Sequence, residues 1–407
     1  MRKKINVKNL QIGMHLHELC GSWMDHPFWR SKFTLTQPEE IRSILESGIS
    51  EVWIDISKGL DVPESPHVPE KTVTAVLMET EIAQLGPAAM NVPKPTSMSD
   101  ELARAARICA RSKQALVSMF QEVRMGQAIS AEAAGELVDE ISSSVLRNPG
   151  ALISLARLKT ADDYTYMHSV AVCALMVSLA RQLGLDAQTT REAGMAGLLH
   201  DLGKAVMPGD VLNKPGKLTD DEFRIIKSHP VEGHRMLLEG QNVSDIVLDV
   251  CLHHHEKVDG SGYPDKLAGD QISLFAKMGA VCDVYDAITS NRPYKKGWGP
   301  GESIRKMSEW RNGHFDEHVF QAFIKSVGIF PVGSLVKLSS GRLAVVLEQS
   351  EKSLLAPRIK VFFSTKSQTR IVPELIDLSR PGVVEKIVGC EDPATWGIQN
   401  LHELWAS

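Results

Sequence analysis

The pair His200-Asp201, set within Leu199-His200-Asp201-Leu202-Gly203-Lys204, constrains this chain more than any other feature. Two adjacent side chains that can both bind cations lie in an apolar helical context, where unpaired polar groups are costly to bury. Further donors follow at helix-sized intervals: His229, then His253-His254-His255-Glu256, then Asp283. His168 lies upstream, four residues before Val172, on a stripe continued by Leu175, Met176, Leu179 and Leu183 at helical spacing. Seven of the fourteen histidines fall between positions 168 and 255, which concentrates the pattern instead of scattering it over a surface. A lone histidine on an apolar stripe is ordinarily a hydrogen-bonded core residue. A core holding all of these without a cation would bury several unpaired groups, each costing roughly 1–3 kcal/mol. The spacing therefore predicts a metal site within a helical bundle, each ligand group coming from its own helix.

Mixed imidazole and carboxylate ligation without thiolates suits iron, manganese or zinc. Asp201 is placed to bridge two cations. Two metals about 3.5–4 Å apart stabilise the attacking and leaving oxygens of an in-line phosphoryl displacement, with a bridging hydroxide as nucleophile. Lys204, four residues after His200 and three after Asp201, shares their helical face and would neutralise charge on a phosphoryl oxygen.

The remaining sequence places this site in a larger frame. A chain of 407 residues suffices for two or three domains. Its net charge of −5 supplies no basic field for a long nucleic acid, which argues against DNA binding. Six scattered cysteines without a Cys-x-x-Cys pair read as reduced thiols of a cytoplasmic protein. No apolar run reaches membrane-spanning length. Residues 1–60 read as a small mixed α/β domain, with a short helix ending at Gly48 and a strand at Val52-Trp53-Ile54-Asp55-Ile56. Residues 61–97 carry six prolines and read as a linker. Residues 98–330 read as helical, with a capping box at Thr219-Asp220-Asp221-Glu222 and a helix restart at Pro230. Residues 331–407 read as a β-rich appendage, with strands near 333–338, 343–347 and 359–363 and a tight turn at Ser339-Ser340-Gly341. The expected fold class is mainly α: a helical bundle, a small α+β N-terminal domain and a β-rich C-terminal appendage.

Three motifs together resemble the HD-GYP phosphodiesterases, a branch of the HD metal-dependent phosphohydrolases. They are His200-Asp201-x-Gly203-Lys204, then His254-His255-Glu256-x-x-Asp259-Gly260-Ser261-Gly262-Tyr263-Pro264, then Asp283-x-x-Asp286-Ala287-x-Thr289-Ser290-x-Arg292-Pro293-Tyr294-Lys295. The resemblance covers roughly residues 155–330. It implies an HD-type helical fold and hydrolysis of cyclic di-GMP to linear pGpG, often onward to GMP. It implies His168, His200, Asp201, His229, His254, His255 and Asp283 as metal ligands. It implies Asp286, Arg292 and Lys295 as contacts to the nucleotide and its phosphates, with Tyr263 beside them. Some similar proteins take a third metal through a Glu four residues before the first His. Here that position is Tyr164, with Asp163 beside it, so two divalent ions are expected, iron or manganese before others, and Asp163 is the one acid placed for a third. His253 is expected outside the ligand set, and Glu256 is expected to orient a ligand or cap the glycine-rich loop. The N-terminal segment, with Gly21-Ser22-Trp23-Met24-Asp25-His26-Pro27-Phe28, resembles an uncharacterised domain found before such catalytic regions.

The leading expectation is a cytoplasmic cyclic di-GMP phosphodiesterase. A binding module is the alternative from another class: partners such as diguanylate cyclases would dock on the Gly262-Tyr263-Pro264 loop without turnover. An HD hydrolase of another nucleotide is the third. The helical stretch 102–146 offers a homodimer face, and core packing explains it equally well.

Overall fold

Short apolar alternations at the N-terminus pair as strands. The computed structural model describes residues 2–20, 33–37, 41, 44, 51–60, 96–158, 164–214, 216–240, 242–290, 297–350 and 352–405. The chain divides into two units, Met1–Glu70 and Lys71–Ser407. In the first, β1 (Arg2–Asn6), β2 (His15–Cys20), β3 (Phe33–Thr34) and β4 (Glu51–Asp55) form an antiparallel sheet in the order β1-β4-β2-β3. Ile5, Leu16, Leu35, Val52 and Ile54 close its core. The strand expected at 52–56 is present. Most of the helix expected over 41–48, the aromatic segment 21–28 and most of the proline-rich stretch lie outside the described residues.

The second unit begins with helices α1 (Met98–Arg124), α2 (Ala131–Arg147) and α3 (Pro149–Arg157). Next come α4 (Tyr164–Gln182) and α5 (Ala187–Leu199). Every residue from 167 to 180 of α4 is buried, not only the predicted stripe. A helix apolar all round belongs at the centre of a bundle. Small residues make this enclosure feasible. A Cβ at Gly197 would lie 2.9 Å from Val172 O and 3.0 Å from Cys173 Cα, so only glycine lets α5 come this close to α4. Burial of α4 also forces His168, on its second turn, into the interior.

Shorter elements follow: α6 (Gly209–Leu212), α7 (Asp220–Ile226), α8 (His229–Leu238) and α9 (Asp245–His253). The capping box at α7 is as expected: Glu222 N donates to Thr219 Oγ1 at 3.3 Å, and Thr219 N donates to Glu222 Oε2 at 2.7 Å. Proline at the second position of α8 starts that helix where the sequence anticipates a restart. Then α10 (Leu274–Thr289) packs on α4, followed by α11 (Pro300–His314) and α12 (Glu317–Val327).

The chain closes in an antiparallel five-stranded sheet ordered β8-β7-β6-β5-β9. Its strands are β5 (Leu335–Leu338), β6 (Arg342–Glu348), β7 (Arg358–Ser364), β8 (Thr369–Asp377) and β9 (Ile387–Cys390). Gly341 turns β5 into β6 at φ +81°, its N–H donating to Leu338 O. The sequence reading misses β8 because it is a largely exposed edge strand containing Pro373, without an alternating apolar face. It misses β9 because that strand has only four residues. The sheet shares one buried core with the bundle, running from Met98 to Trp405.

Phe323, fully buried on α12, packs edge-on against Tyr285 of α10 with ring centroids 5.1 Å apart. Phe323→Ala should lower unfolding free energy by about 3–5 kcal/mol, read from denaturant midpoints. An unchanged midpoint would show that this contact does not anchor α10.

Candidate metal centre

The ligand candidates lie mostly at helix ends, where backbone carbonyls are unsatisfied. His168 and Asp283 lie in the interior of helices, α4 and α10. Because α5 stops at Leu199, His200 is its C-terminal cap. His229 opens α8, three residues after Ile226 ends α7, and His254 caps α9. This corrects the expectation that His200, Asp201 and Lys204 share one α-helical face. Leu202–Val206 is a 3-10 turn, and three residues per turn stack Lys204 over Asp201. Lys204 Nζ donates to Asp201 Oδ2 at 2.5 Å.

Those helix ends aim the imidazoles. His200 Nδ1 donates to Gly197 O at 2.8 Å, and His229 Nδ1 donates to Ile226 O at 2.7 Å. His254 Nδ1 lies 3.0 Å from Val250 O and 3.1 Å from Cys251 O. A carbonyl can only accept, so Nδ1 carries the proton in each ring and Nε2 presents a lone pair inward. His168 Nδ1 likewise donates, here to a carboxylate, Asp286 Oδ2 at 2.6 Å.

The lone pairs converge on Asp201. Its Oδ2 lies 3.4 Å from both His168 Nε2 and His200 Nε2. Its Oδ1 lies 3.1 Å from His229 Nε2 and 3.8 Å from His254 Nε2. Asp283 Oδ1 approaches His168 Nε2 at 3.0 Å, and Asp283 Oδ2 approaches His255 Nδ1 at 3.8 Å. Donor atoms gather as His168, His200 and Asp283; as His229, His254 and His255; and as His200, Asp201 and His254, each trio within 4.8 Å.

Two observations show that this donor set fits divalent cations. His200 Nε2 and Asp201 Oδ1 are buried without a hydrogen-bond partner among the described residues. His229 Nε2 and His254 Nε2 face each other at 3.4 Å, although both rings hold their proton on the opposite nitrogen. Two opposed lone pairs repel unless a cation lies between such donors.

Electrostatics keep four of these donors in ligating form. Burial lowers His254 far below its ordinary value, and the neighbouring imidazoles of His255, His200 and His229 add to the shift. Burial pushes His255 down to about 3 against the pull of Asp283. Burial alone would raise Asp201, but Lys204, His200 and His229 hold it well below the usual carboxylate range. Asp283 is likewise held low by His168, His255 and His200 in spite of burial. His168 goes the other way, raised by Asp283 and Asp286 against burial.

The remaining candidates divide. Asp286, expected against the nucleotide, is buried behind His168 instead, and its position three residues after Asp283 on one helix face was the available signal. Tyr263 stacks on His255 with centroids 4.7 Å apart, and Lys227 Nζ lies 4.9 Å from the Tyr263 centroid, a contact the sequence reading missed. Glu256 Oε1 accepts from Asp265 N at 2.7 Å and Lys266 N at 2.9 Å, so it pins the glycine-rich loop. His253 turns away, bonded to Asp249 at 2.7 Å and Asp265 at 3.1 Å. Tyr164 stacks on the His168 ring. Asp163, Arg292 and Lys295 lie outside the described residues.

The HD domain family matches residues 145–319, and a domain of unknown function (DUF3391) matches residues 2–134. A cyclic di-GMP phosphodiesterase of Pseudomonas aeruginosa is 57% identical over 100% of this chain and 96% of its own length. The cyclic di-GMP phosphodiesterase response regulator RpfG of Xanthomonas campestris is 39% identical over 42% of this chain and 47% of its own. A 3'3'-cGAMP-specific phosphodiesterase of Vibrio cholerae is 35% identical over 40% of this chain and 38% of its own.

A Cβ at Gly203 would lie 1.9 Å from His229 O, so Gly203→Ala must push α8 and its imidazole outward. Metal affinity should fall roughly 10–100-fold, read by elemental analysis alongside an unchanged helical circular dichroism signal. Full metal retention would show that this close approach does not place His229. The raised His168 supplies a pH test. At low pH Nε2 carries a proton that must leave before it can ligate, so Mn2+ affinity should climb as pH rises beyond the ordinary imidazole range, with proton release on loading. Calorimetry in buffers of different ionisation enthalpy reads this, and a pH-independent affinity without proton release would contradict it.

Proposed function

This chain belongs to the HD-GYP family of HD-domain phosphodiesterases, and from that premise we propose that it hydrolyses cyclic di-GMP to linear pGpG and onward to GMP. The observation that carries this reading is the division of one carboxylate, Asp201, between two sets of imidazole nitrogens. His168, His200 and Asp283 would hold one divalent ion with Asp201 Oδ2, and His229, His254 and His255 the other with Asp201 Oδ1. Two such ions, iron or manganese, would supply an activated water and offset charge on the phosphoryl oxygens.

The side chains of the protein do the positioning. Asp286 locks the His168 ring and its tautomer, and carbonyls of the preceding helix ends lock His200, His229 and His254. Lys204, partly exposed beside Asp201, is placed to donate to a phosphoryl oxygen. Tyr263, stacked on His255 beneath Lys227, offers an aromatic wall to a purine base. Arg292 and Lys295 are the residues we assign to the second phosphate, with the planar fork and compact charge that phosphate contacts use. The loop pinned by Glu256 is the surface we assign to partner proteins such as diguanylate cyclases. The 3'3'-cGAMP-specific relative favours one second reading, a mixed purine cyclic dinucleotide as substrate.

Metal-loaded protein should open cyclic di-GMP faster than 3'3'-cGAMP in a substrate panel followed by chromatography. The double variant His200→Ala/Asp201→Ala should lose about a thousandfold in rate or more, the several kcal/mol such a centre supplies. Undiminished turnover in that variant would remove the centre from the mechanism. Binding of cyclic di-GMP by the metal-loaded native chain without turnover would establish a signalling module instead.

A further inference from the structure

One ammonium group beside the donor cluster has no carboxylate to serve. Lys227 caps the end of α7, between Ile226, whose carbonyl accepts from His229 Nδ1, and His229 itself. It is partly exposed and makes no ion pair among the described residues. Its ammonium lies against two aromatic rings instead, 4.7 Å from the Phe223 centroid and 4.9 Å from the Tyr263 centroid. Tyr263 also stacks on His255, so Lys227 sits one ring away from the donor cluster. Lys204 differs, because Asp201 engages its ammonium directly.

No apolar core fixes Lys227 on the Tyr263 ring. Helix α7 has no buried residue, and its Phe223 and Ile225 are exposed. Its polar ties are the capping box and Lys214, whose Nζ donates to Glu222 Oε1 at 2.8 Å and Oε2 at 2.6 Å. A cation–π contact at such an open place is weak, and a lysine stem is flexible. The ammonium can therefore leave the Tyr263 ring for a stronger partner and stay close to it.

A purine drawn to the Tyr263 ring meets that ammonium at its edge. An ammonium offers three donors and no acceptor. Guanine presents two acceptors side by side, O6 and N7, whereas adenine sets a donating amino group beside N7. The same lysine thus attracts guanine and meets a like donor on adenine. Phosphate, the other usual partner of lysine, has its place at the donor cluster and Lys204, and a base lies one sugar beyond its phosphate. Resting on the cyclic dinucleotide phosphodiesterase reading above, we propose that Lys227 selects guanine over adenine in the base bound at Tyr263.

The test compares Lys227→Met, which keeps an unbranched stem without donors, with Lys227→Arg, whose fork also fits O6 and N7. Full-length protein loaded with Mn2+ is used throughout, with metal content confirmed for each variant. The ratio of kcat/KM for cyclic di-GMP to that for cyclic di-AMP should favour guanine in the native chain. It should fall roughly tenfold or more in Lys227→Met and largely recover in Lys227→Arg. A lysine that only held α7 in place, or only touched phosphate, would slow both substrates alike and leave the ratio unmoved. An unchanged ratio in Lys227→Met would overturn the proposal, and so would a native chain without guanine preference. Failure of the native chain to turn over either dinucleotide would instead sink the phosphodiesterase reading by itself. The preference is then read from dissociation constants of the same two dinucleotides, with the same fall expected and the same results overturning it.

Discussion

The structure depends on one buried carboxylate that faces two ways. Asp201 is removed from water, where a lone charge would neutralise itself. It stays ionised because Lys204 donates to one oxygen and imidazoles crowd both. Those imidazoles would be a liability in their own right, four lone pairs aimed at one small volume. Carboxylate, lone pairs and absent protons are mutually tolerable only around positive charge. Much of the local architecture maintains this arrangement: helices stop where their last carbonyls can grip Nδ1 protons, and glycines at 197 and 203 let the backbones close in.

Position within the bundle follows from α4. A helix buried on all sides brings its polar residues inside with it, so His168 has to be satisfied internally. Asp286 does so from behind and Asp283 from the front, both on α10. The two carboxylates sit three residues apart, so one turn of one helix serves both nitrogens of one ring. A fully buried helix thereby becomes a scaffold held within narrow limits, and a metal ligand requires that rigidity.

That these seven donor side chains gather in one buried place was foreshadowed in the sequence, because donor residues on apolar elements have few tolerable fates. The capping box at Thr219, the restart at Pro230 and the turn at Gly341 were legible because each is a local rule with a local cause. What was hidden depends on where helices stop. Lys204 was placed on an α-helical face that does not extend past Leu199, and the carbonyl partners of His200 and His254 exist only because those helices end there. Asp286 was assigned outward since a one-dimensional motif carries no depth; only packing of α10 on α4 turns it toward His168. Strand β8 stayed hidden because an exposed edge needs no apolar alternation.

The claim on which the account rests is that Asp201 divides its two oxygens between two cations. Anomalous diffraction at the manganese or iron edge from crystals of the loaded protein tests it most directly. The account predicts two peaks flanking Asp201, one among His168, His200 and Asp283 and the other among His229, His254 and His255. A single peak, or two peaks on the same side of that carboxylate, would contradict it.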